Sequence, residues 1–186
     1  MASLEFIESS KSSSKDFMRK RKLSFIDIFI LILRKSVKSL QVILNEFILY
    51  RKKDYTVTAS AFSQARKKMK HSAFSEINEG VVSLYYQDQK FKTCFGFRVL
   101  ALDASKIILP TSVEIKNEFG SRKIRNQKPK DLGDYASATF AVCYDVLNNV
   151  AIRSVLDRGN THEINLADEM LKVVNTNDLL ICIFIL

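Results

Sequence analysis

The sequence is poor in several residue types that often mark a structural or catalytic class. Its 186 residues include no tryptophan, two prolines, five glycines, three cysteines and two histidines. So few prolines and glycines argue against a linker-rich or fibrous protein. The cysteines are odd in number, widely spaced and without a CxxC pair, so neither a disulfide framework nor a zinc site is predicted. We expect them to be small buried apolar residues.

Long apolar runs are also lacking. The longest run in the first part of the chain covers residues 25–33 and is interrupted by Asp27. A bilayer-spanning helix needs roughly 20 apolar residues, and a signal peptide needs a cleavage site that this region lacks. The sequence therefore predicts a cytoplasmic protein with no membrane partner.

Positive charge is abundant and concentrated in the first part of the chain. Residues 1–80 contain 16 Lys and Arg and 8 Asp and Glu, so they carry 16 − 8 = +8 of the total net charge of +9. A localised positive field suits a polyanion such as nucleic acid or an acidic membrane surface. A solvated charged surface is the alternative interpretation.

Two regions with different periodicity follow a polar start. Residues 1–16 contain a serine-rich run and are predicted to be a disordered tail. Residues 17–92 are predicted to form a basic region of about four amphipathic helices. Ser24 followed by Asp27 has the pattern of a capping box, and Thr58 is a predicted N-cap. One predicted helix has a buried face made of Leu40, Ile43, Leu44, Phe47 and Ile48.

Residues 93–186 have strand-like patterns, so the fold class is predicted to be α/β, or α+β overall. A strand at 97–102 ends at Asp103, a second extended piece ends at Pro110, and a long irregular loop follows. A hairpin turn is predicted at 147–149. Asn160 and Glu163 can cap the next helix. Because that helix crosses between strands, the last strand is expected to be parallel to the first.

Asp103 is the main candidate for chemistry. An aspartate at the carboxyl end of an apolar strand faces the crevice in which α/β proteins bind ligands. An aspartate that starts a turn by bonding to the backbone is the alternative.

Several ordered motifs resemble those of a known family. These are "VLALDASKIILPTSVEIKNEFG", "ATFAVCYDVLNNVAIRSVLD" and "NTHEINLADEML" followed by "NDLLI". Together with the basic amino-terminal region, they resemble the first half of an insertion-sequence DDE transposase of the IS-four family. The resemblance implies a ribonuclease H-like core. It also implies cut-and-paste DNA transposition by two divalent ions, Mg²⁺ or Mn²⁺, held by two Asp and one Glu.

The resemblance assigns roles to particular residues. Asp103 takes the position of the first catalytic, metal-binding Asp, beside Ala104 where the family has Gly. The position of the second Asp is occupied by Ile183, and the Glu would lie beyond residue 186. Asp145, Asp157 and Asp178 are not convincing substitutes. The resemblance therefore implies a truncated, incomplete catalytic core at 93–186 that is inactive as an enzyme and does not bind the ions tightly.

The segment "SQARKKMK" is the candidate DNA-binding element. Its cations could contact phosphates and its polar residues could approach base edges, with the preceding helices supporting it as in a helix-turn-helix. The residues are Ser63, Gln64, Arg66, Lys67, Lys68 and Lys70. A solvated basic helix is the alternative, and the link at 50–57 is longer than usual for a helix-turn-helix.

The family resemblance implies that the DNA partner is double-stranded, namely the terminal inverted repeats of an insertion element, in a prokaryotic nucleoid. Three interpretations remain open. The chain is an inactive remnant, or a non-catalytic DNA-binding protein that competes with an intact transposase, or an incomplete core that does not persist folded.

Overall fold

The computed structural model describes residues 3–19, 21–34, 36–123 and 134–182. The chain forms two compact units, Met1–Ile77 and Asn78–Leu186. The first unit is helical and the second is built on a mixed sheet, which confirms the α+β class. Within the described residues, no helix combines the length and the apolar character needed to cross a membrane.

The first unit packs short amphipathic helices around one apolar core. Ile28 and Leu44 are completely buried in it, and Phe62 is almost so. The helices are α1 (Leu4–Ser9), α2 (Phe25–Leu33), α3 (Leu40–Tyr50) and α4 (Ala59–Arg66), and α5 (Ser72–Tyr86) starts in this unit and continues into the second.

The predicted helix starts in this unit are confirmed. Ser24 Oγ accepts a 3.2 Å hydrogen bond from the Asp27 amide, and the Asp27 carboxylate accepts one of 3.1 Å from the Ser24 amide. Thr58 caps α4 by accepting from the Ala61 amide. The predicted inner face of α3 also packs on the core.

The amino-terminal segment differs from the predicted disordered tail at 1–16. Leu4–Ser9 is helical, capped by the Ser3 hydroxyl. Phe6 is buried, with its ring edge-on to those of Phe25 and Phe29 at centroid distances of 5.8 and 6.5 Å. The serine-rich composition concealed this short apolar helix, whose order depends on aromatic packing against α2.

The second unit contains a five-stranded sheet in which β1 is central. Neighbouring strands run in the order β2-β3-β1-β5, and β4 pairs with β3. The elements are β1 (Arg98–Leu109), α6 (Val113–Phe119), β2 (Ser121–Lys123), β3 (Asp134–Asp145), β4 (Val150–Arg158), α7 (Glu163–Leu171) and β5 (Asp178–Cys182).

Two predictions about strand connections are confirmed. Strands β3 and β4 form an antiparallel hairpin around residues 146–149. Strand β5 is parallel to β1, in register from Arg98 beside Asp178 to Leu102 beside Cys182. The core of this unit lies on the face of the sheet that α7 covers, and its buried residues are Leu100, Leu102, Ala141, Cys143, Ile152, Leu166 and Met170.

Three sequence-based details of the second unit require correction. Strand β1 does not end at Asp103 but continues to Leu109, because β3 pairs with it as far as the Leu109–Ala136 pair. The predicted long loop contains α6 and β2. Helix α7 has His162 rather than Asn160 at its N-cap, and the His162 side chain makes no capping hydrogen bond.

The two compact units are divided at 77/78, whereas the basic helical region predicted from the sequence extends to residue 92. The second half of α5 belongs to the second unit because Val82 and Tyr86 pack against the core beneath the sheet. Helical periodicity alone assigned all of α5 to the basic region.

Candidate functional site

Asp103 lies in the middle of β1 on the face of the sheet opposite the core that α7 covers. Side chains alternate along a strand. Because Leu100 and Leu102 point into the core, Asp103 points to the other face, where it is exposed. Its Oδ1 accepts a 2.9 Å hydrogen bond from the Ala104 amide. The local backbone bond expected of a turn-forming aspartate is present, although the chain does not turn there.

Most of the described neighbours of Asp103 on this face are apolar, although Ser105, two residues further along β1, is polar. Val142 is its partner on β3, and Ala101 pairs with Ile181 two residues earlier along β1. Leu179 and Ile181 are 48% and 43% exposed. Asp103 is therefore a solvated carboxylate on an exposed, mostly apolar sheet face.

The three carboxylates considered as substitutes all lie on the opposite face. Directly paired residues share a face of the sheet. Asp145 pairs with Leu100, and Asp178 pairs with Arg98, so both belong to the face of Leu100. Asp157 is opposite Thr139, which pairs with Lys106 on that same face. The sheet thus separates Asp103 from each of them.

Asp178 and Asp145 have structural partners. The Asp178 carboxylate accepts two hydrogen bonds, of 2.8 and 2.6 Å, from the Arg98 guanidinium. Asp145 has no exposed surface and accepts from the Leu147 and Asn148 amides in the hairpin turn. These contacts account for both carboxylates without a metal.

Asp145, Asp157 and Asp178 cannot join Asp103 around a divalent cation. Among the described residues, no group of three His, Cys, Asp or Glu side chains is arranged to hold a metal ion. Ile183, the predicted position of the second Asp, lies outside the described residues. A two-metal site needs several converging carboxylates, because each ion must be held while it also binds the reacting oxygens.

The predicted DNA-binding residues do not form one continuous basic helix. Arg66 is the last residue of α4 and Lys67 is its C-cap, so Lys68 and Lys70 belong to the following turn. Arg66 and Lys67 are exposed, and neither forms an ion pair within the part of the chain that the structure describes.

Lys68 and Lys70 instead hold the amino-terminal segment. Lys68 Nζ lies 3.0 Å from Asp16 Oδ1, and Lys70 Nζ donates a 2.9 Å hydrogen bond to the Ser9 carbonyl. The backbone of this turn adds further bonds to the same segment. A structural role for these two lysines was not apparent from the sequence.

Ser63 and Gln64 occupy different environments on α4. Ser63 is half-buried, whereas Gln64 is exposed and donates a 3.3 Å hydrogen bond to Ser60 Oγ. Of these two polar side chains, Gln64 is therefore the more accessible to a ligand.

Helix α4 is held firmly against α3. The Gln41 amide group donates to the Val57 carbonyl at 2.9 Å and accepts from the Ala59 amide at 2.9 Å. Tyr55 Oη donates a 2.6 Å hydrogen bond to the Lys22 carbonyl. These bonds order the long link, so its length does not prevent α3 and α4 from forming a defined pair.

Sequence reasoning missed a second set of accessible cations. Arg19, Arg21 and Lys22 line a groove in the first unit together with Gln64 of α4. The consecutive cations of the "RKRK" run at 19–22 were the available signal. The run lies outside the predicted helices, so helical periodicity did not assign it to an exposed face.

Comparison of the chain with protein-family models, with curated proteins and with solved structures finds no match.

Proposed function

We propose that this protein is a non-catalytic DNA-binding protein whose second unit has the ribonuclease H-like architecture of DDE transposases. The observation that carries the proposal is the position of Asp103, on the face of the sheet opposite three other aspartates. Asp145, Asp157 and Asp178 all belong to the other face of the sheet, so none can join Asp103 around a pair of metal ions.

The strand arrangement supports the transposase-like part of the proposal. A hairpin followed by a helix and a strand parallel to β1 is the order that the family resemblance implies. Residues paired between β1 and β5 are 80 positions apart, as in Arg98 and Asp178 (178 − 98 = 80). Ile183 also follows Asp103 by 80 positions (183 − 103 = 80). The family resemblance assigns the second Asp to this position, which an isoleucine occupies.

The charge distribution supports DNA binding. Residues 1–80 carry +8, and Arg66 and Lys67 are exposed at the end of α4, which α3 holds in place. Exposed cations at the end of an ordered helix can bind the phosphates of a duplex. Binding without cleavage would also let the protein compete with an intact transposase for the terminal repeats of its element.

Salt dependence of duplex binding tests this proposal. The slope of log K against log salt changes by about 0.9 for each phosphate contact. Replacing both Arg66 and Lys67 with Ala should therefore flatten the slope by about 1.8, as measured by fluorescence anisotropy of a labelled duplex.

The matched control removes two exposed charges from the second unit, Lys90→Ala with Lys92→Ala. Its slope should equal that of the unmodified protein. Equal slopes for all three proteins would overturn the assignment of Arg66 and Lys67 to the DNA interface and return them to a solvated surface.

A further inference from the structure

A groove of about 1230 Å³ crosses the first unit. Its lining comes from α1, from residues 17–19 and 21–25, from residues 56–58 and from α4. Pockets for small molecules usually enclose 300–1,000 Å³. This groove suits an extended ligand better than a compact one.

The charge of the groove is strongly positive. Among the described residues that line it, one is a carboxylate, Glu8, and five are cations, namely Lys11, Arg19, Arg21, Lys22 and Lys68.

Two of the five cations are neutralised within the protein. Lys11 forms an ion pair with Glu8, and Lys68 forms one with Asp16. Arg19 and Arg21 are exposed, and none of the carboxylates that the structure describes pairs with either. Two guanidinium groups therefore remain available, and guanidinium is well suited to bidentate binding of phosphate.

Several of the side chains that line the groove are apolar. Ile7 and Phe17 are half-buried, and Met18 is 68% exposed. The Phe17 ring packs edge-on against Phe25 at a centroid distance of 5.3 Å, which fixes its orientation. A lining that combines apolar side chains with cations offers surface for the faces of bases and charge for their phosphates.

Polar groups lie among the apolar ones. Thr58 and Gln64 line the groove, and the Thr56 carbonyl there accepts a 3.1 Å hydrogen bond from Lys22 Nζ. The apolar ridge of an acidic amphipathic helix would cover these groups without bonding to them. Base edges would bond to them, so a nucleic-acid strand fits better than a peptide.

Helix α4 contributes a different side to this groove from the side proposed for duplex binding. Ala61, Gln64 and Ala65 face it, at the spacing of one helical face. Among the described residues that line it, Arg66 and Lys67 do not occur. The groove and the end of α4 can thus be altered independently.

We propose that this groove binds a single strand of nucleic acid. Arg19 and Arg21 hold phosphates, unstacked bases rest on Phe17 and Met18, and Gln64 bonds to base edges. The inference goes beyond duplex binding by Arg66 and Lys67 and does not depend on it.

Anisotropy of a labelled oligothymidylate of about 12 nucleotides tests the proposal, since known site sizes run from 4 to 16 nucleotides. Replacing Arg19 and Arg21 with Ala should weaken binding about tenfold, because two phosphate contacts are lost. Met18→Ala should weaken it several-fold through lost stacking surface. Arg66→Ala with Lys67→Ala is the matched control and should leave this affinity unchanged. All three changes are at exposed residues, so circular dichroism should show an unchanged fold.

Several outcomes would overturn the inference. One is failure of the unmodified protein to bind oligothymidylate while it binds duplex, which would leave the proposed function intact. Another is an equal loss from both double substitutions, which would indicate one undifferentiated basic surface. A third is tight binding of an acidic amphipathic peptide that oligothymidylate does not displace. Conversely, oligothymidylate binding that needs Arg19 and Arg21 without any duplex binding would support the groove and refute the proposed function.

Discussion

Tyr86 Oη donates a 2.6 Å hydrogen bond to Asp145 Oδ2, a carboxylate with no exposed surface. The Arg98 guanidinium lies 4.8 Å from the centre of the Tyr86 ring and also pairs with Asp178. One polar cluster thus links α5, the end of β3 and the β1–β5 pair. Burial raises the pKa of Tyr86, and the hydrogen bond to Asp145 raises it further, so the phenol keeps its proton.

Removing the phenol oxygen should destabilise the second unit. In Tyr86→Phe, Asp145 keeps its bonds in the hairpin turn but loses one donor in a buried position. Loss of a partner from a buried polar group costs about 1–3 kcal/mol. The change is measured as the free energy of unfolding in urea, followed by circular dichroism.

The neighbouring tyrosine provides the control for that experiment. Tyr85 is exposed, and its hydroxyl donates a 3.2 Å hydrogen bond to Asn148. Tyr85→Phe should therefore cost less than Tyr86→Phe. Equal losses of unfolding free energy would show that the buried Tyr86–Asp145 bond stabilises the protein no more than the exposed Tyr85–Asn148 bond does.

The start of α2 should respond to acid. Burial acts to raise the pKa of Asp27, but hydrogen bonds from Arg51 and Ser24 outweigh it and hold the pKa below its usual 3.8. Because the pKa of Asp27 is lower in the folded state, the charged carboxylate stabilises the folded protein fully above about pH 3.8. This stabilisation is lost as the pH falls through the folded-state pKa.

Asp27→Asn should thus cost about 1 kcal/mol near neutral pH, the usual worth of a helix cap, and progressively less below about pH 4. The measurement is the free energy of unfolding across this range. The control Asp54→Asn removes an exposed charge of the same unit that lies outside the cap, and it should cost less than Asp27→Asn near neutral pH. A cost for Asp27→Asn that stays constant down to pH 2 would contradict the lowered pKa.

Parts of this fold could be predicted because their signals are local. The Ser24–Asp27 cap and the Leu40–Ile48 periodicity each lie within one helix, and the hairpin at 147–149 has its own turn residues. The full length of β1 could not be predicted, because its pairing partner Ala136 lies far away in sequence from Leu109. The order of Phe6 depended likewise on rings contributed by α2.

The candidate site shows the same limit. Asp103 could be singled out from its strand and its family resemblance. Its separation from Asp145 and Asp178 depends on strand register, because a shift of one residue would move every side chain of a strand to the other face of the sheet. The structural roles of Lys68 and Lys70 similarly depend on contacts with a segment about 50 to 60 residues earlier, for which no local pattern exists.

Thiol reactivity tests the sheet directly. Cys143 is completely buried in the core, and this burial raises its pKa to about 11. Cys182 is exposed at the end of β5. In the folded protein at pH 8, iodoacetamide should modify Cys182 well before Cys143, which should react only on unfolding. Peptide mass spectrometry gives the order, and early modification of Cys143 would contradict the described core.

The most direct test of the central claim is one incubation of the protein with labelled duplex DNA and Mg²⁺ or Mn²⁺. Half of the sample is run on a native gel and half on a denaturing gel after the protein is removed. We predict a retarded native band and DNA of unchanged length, because the sheet separates Asp103 from Asp145, Asp157 and Asp178 and because the first unit supplies the positive charge. Cut or joined products that disappear with Asp103→Ala would contradict the loss of catalysis, and absence of retardation at low salt would contradict DNA binding.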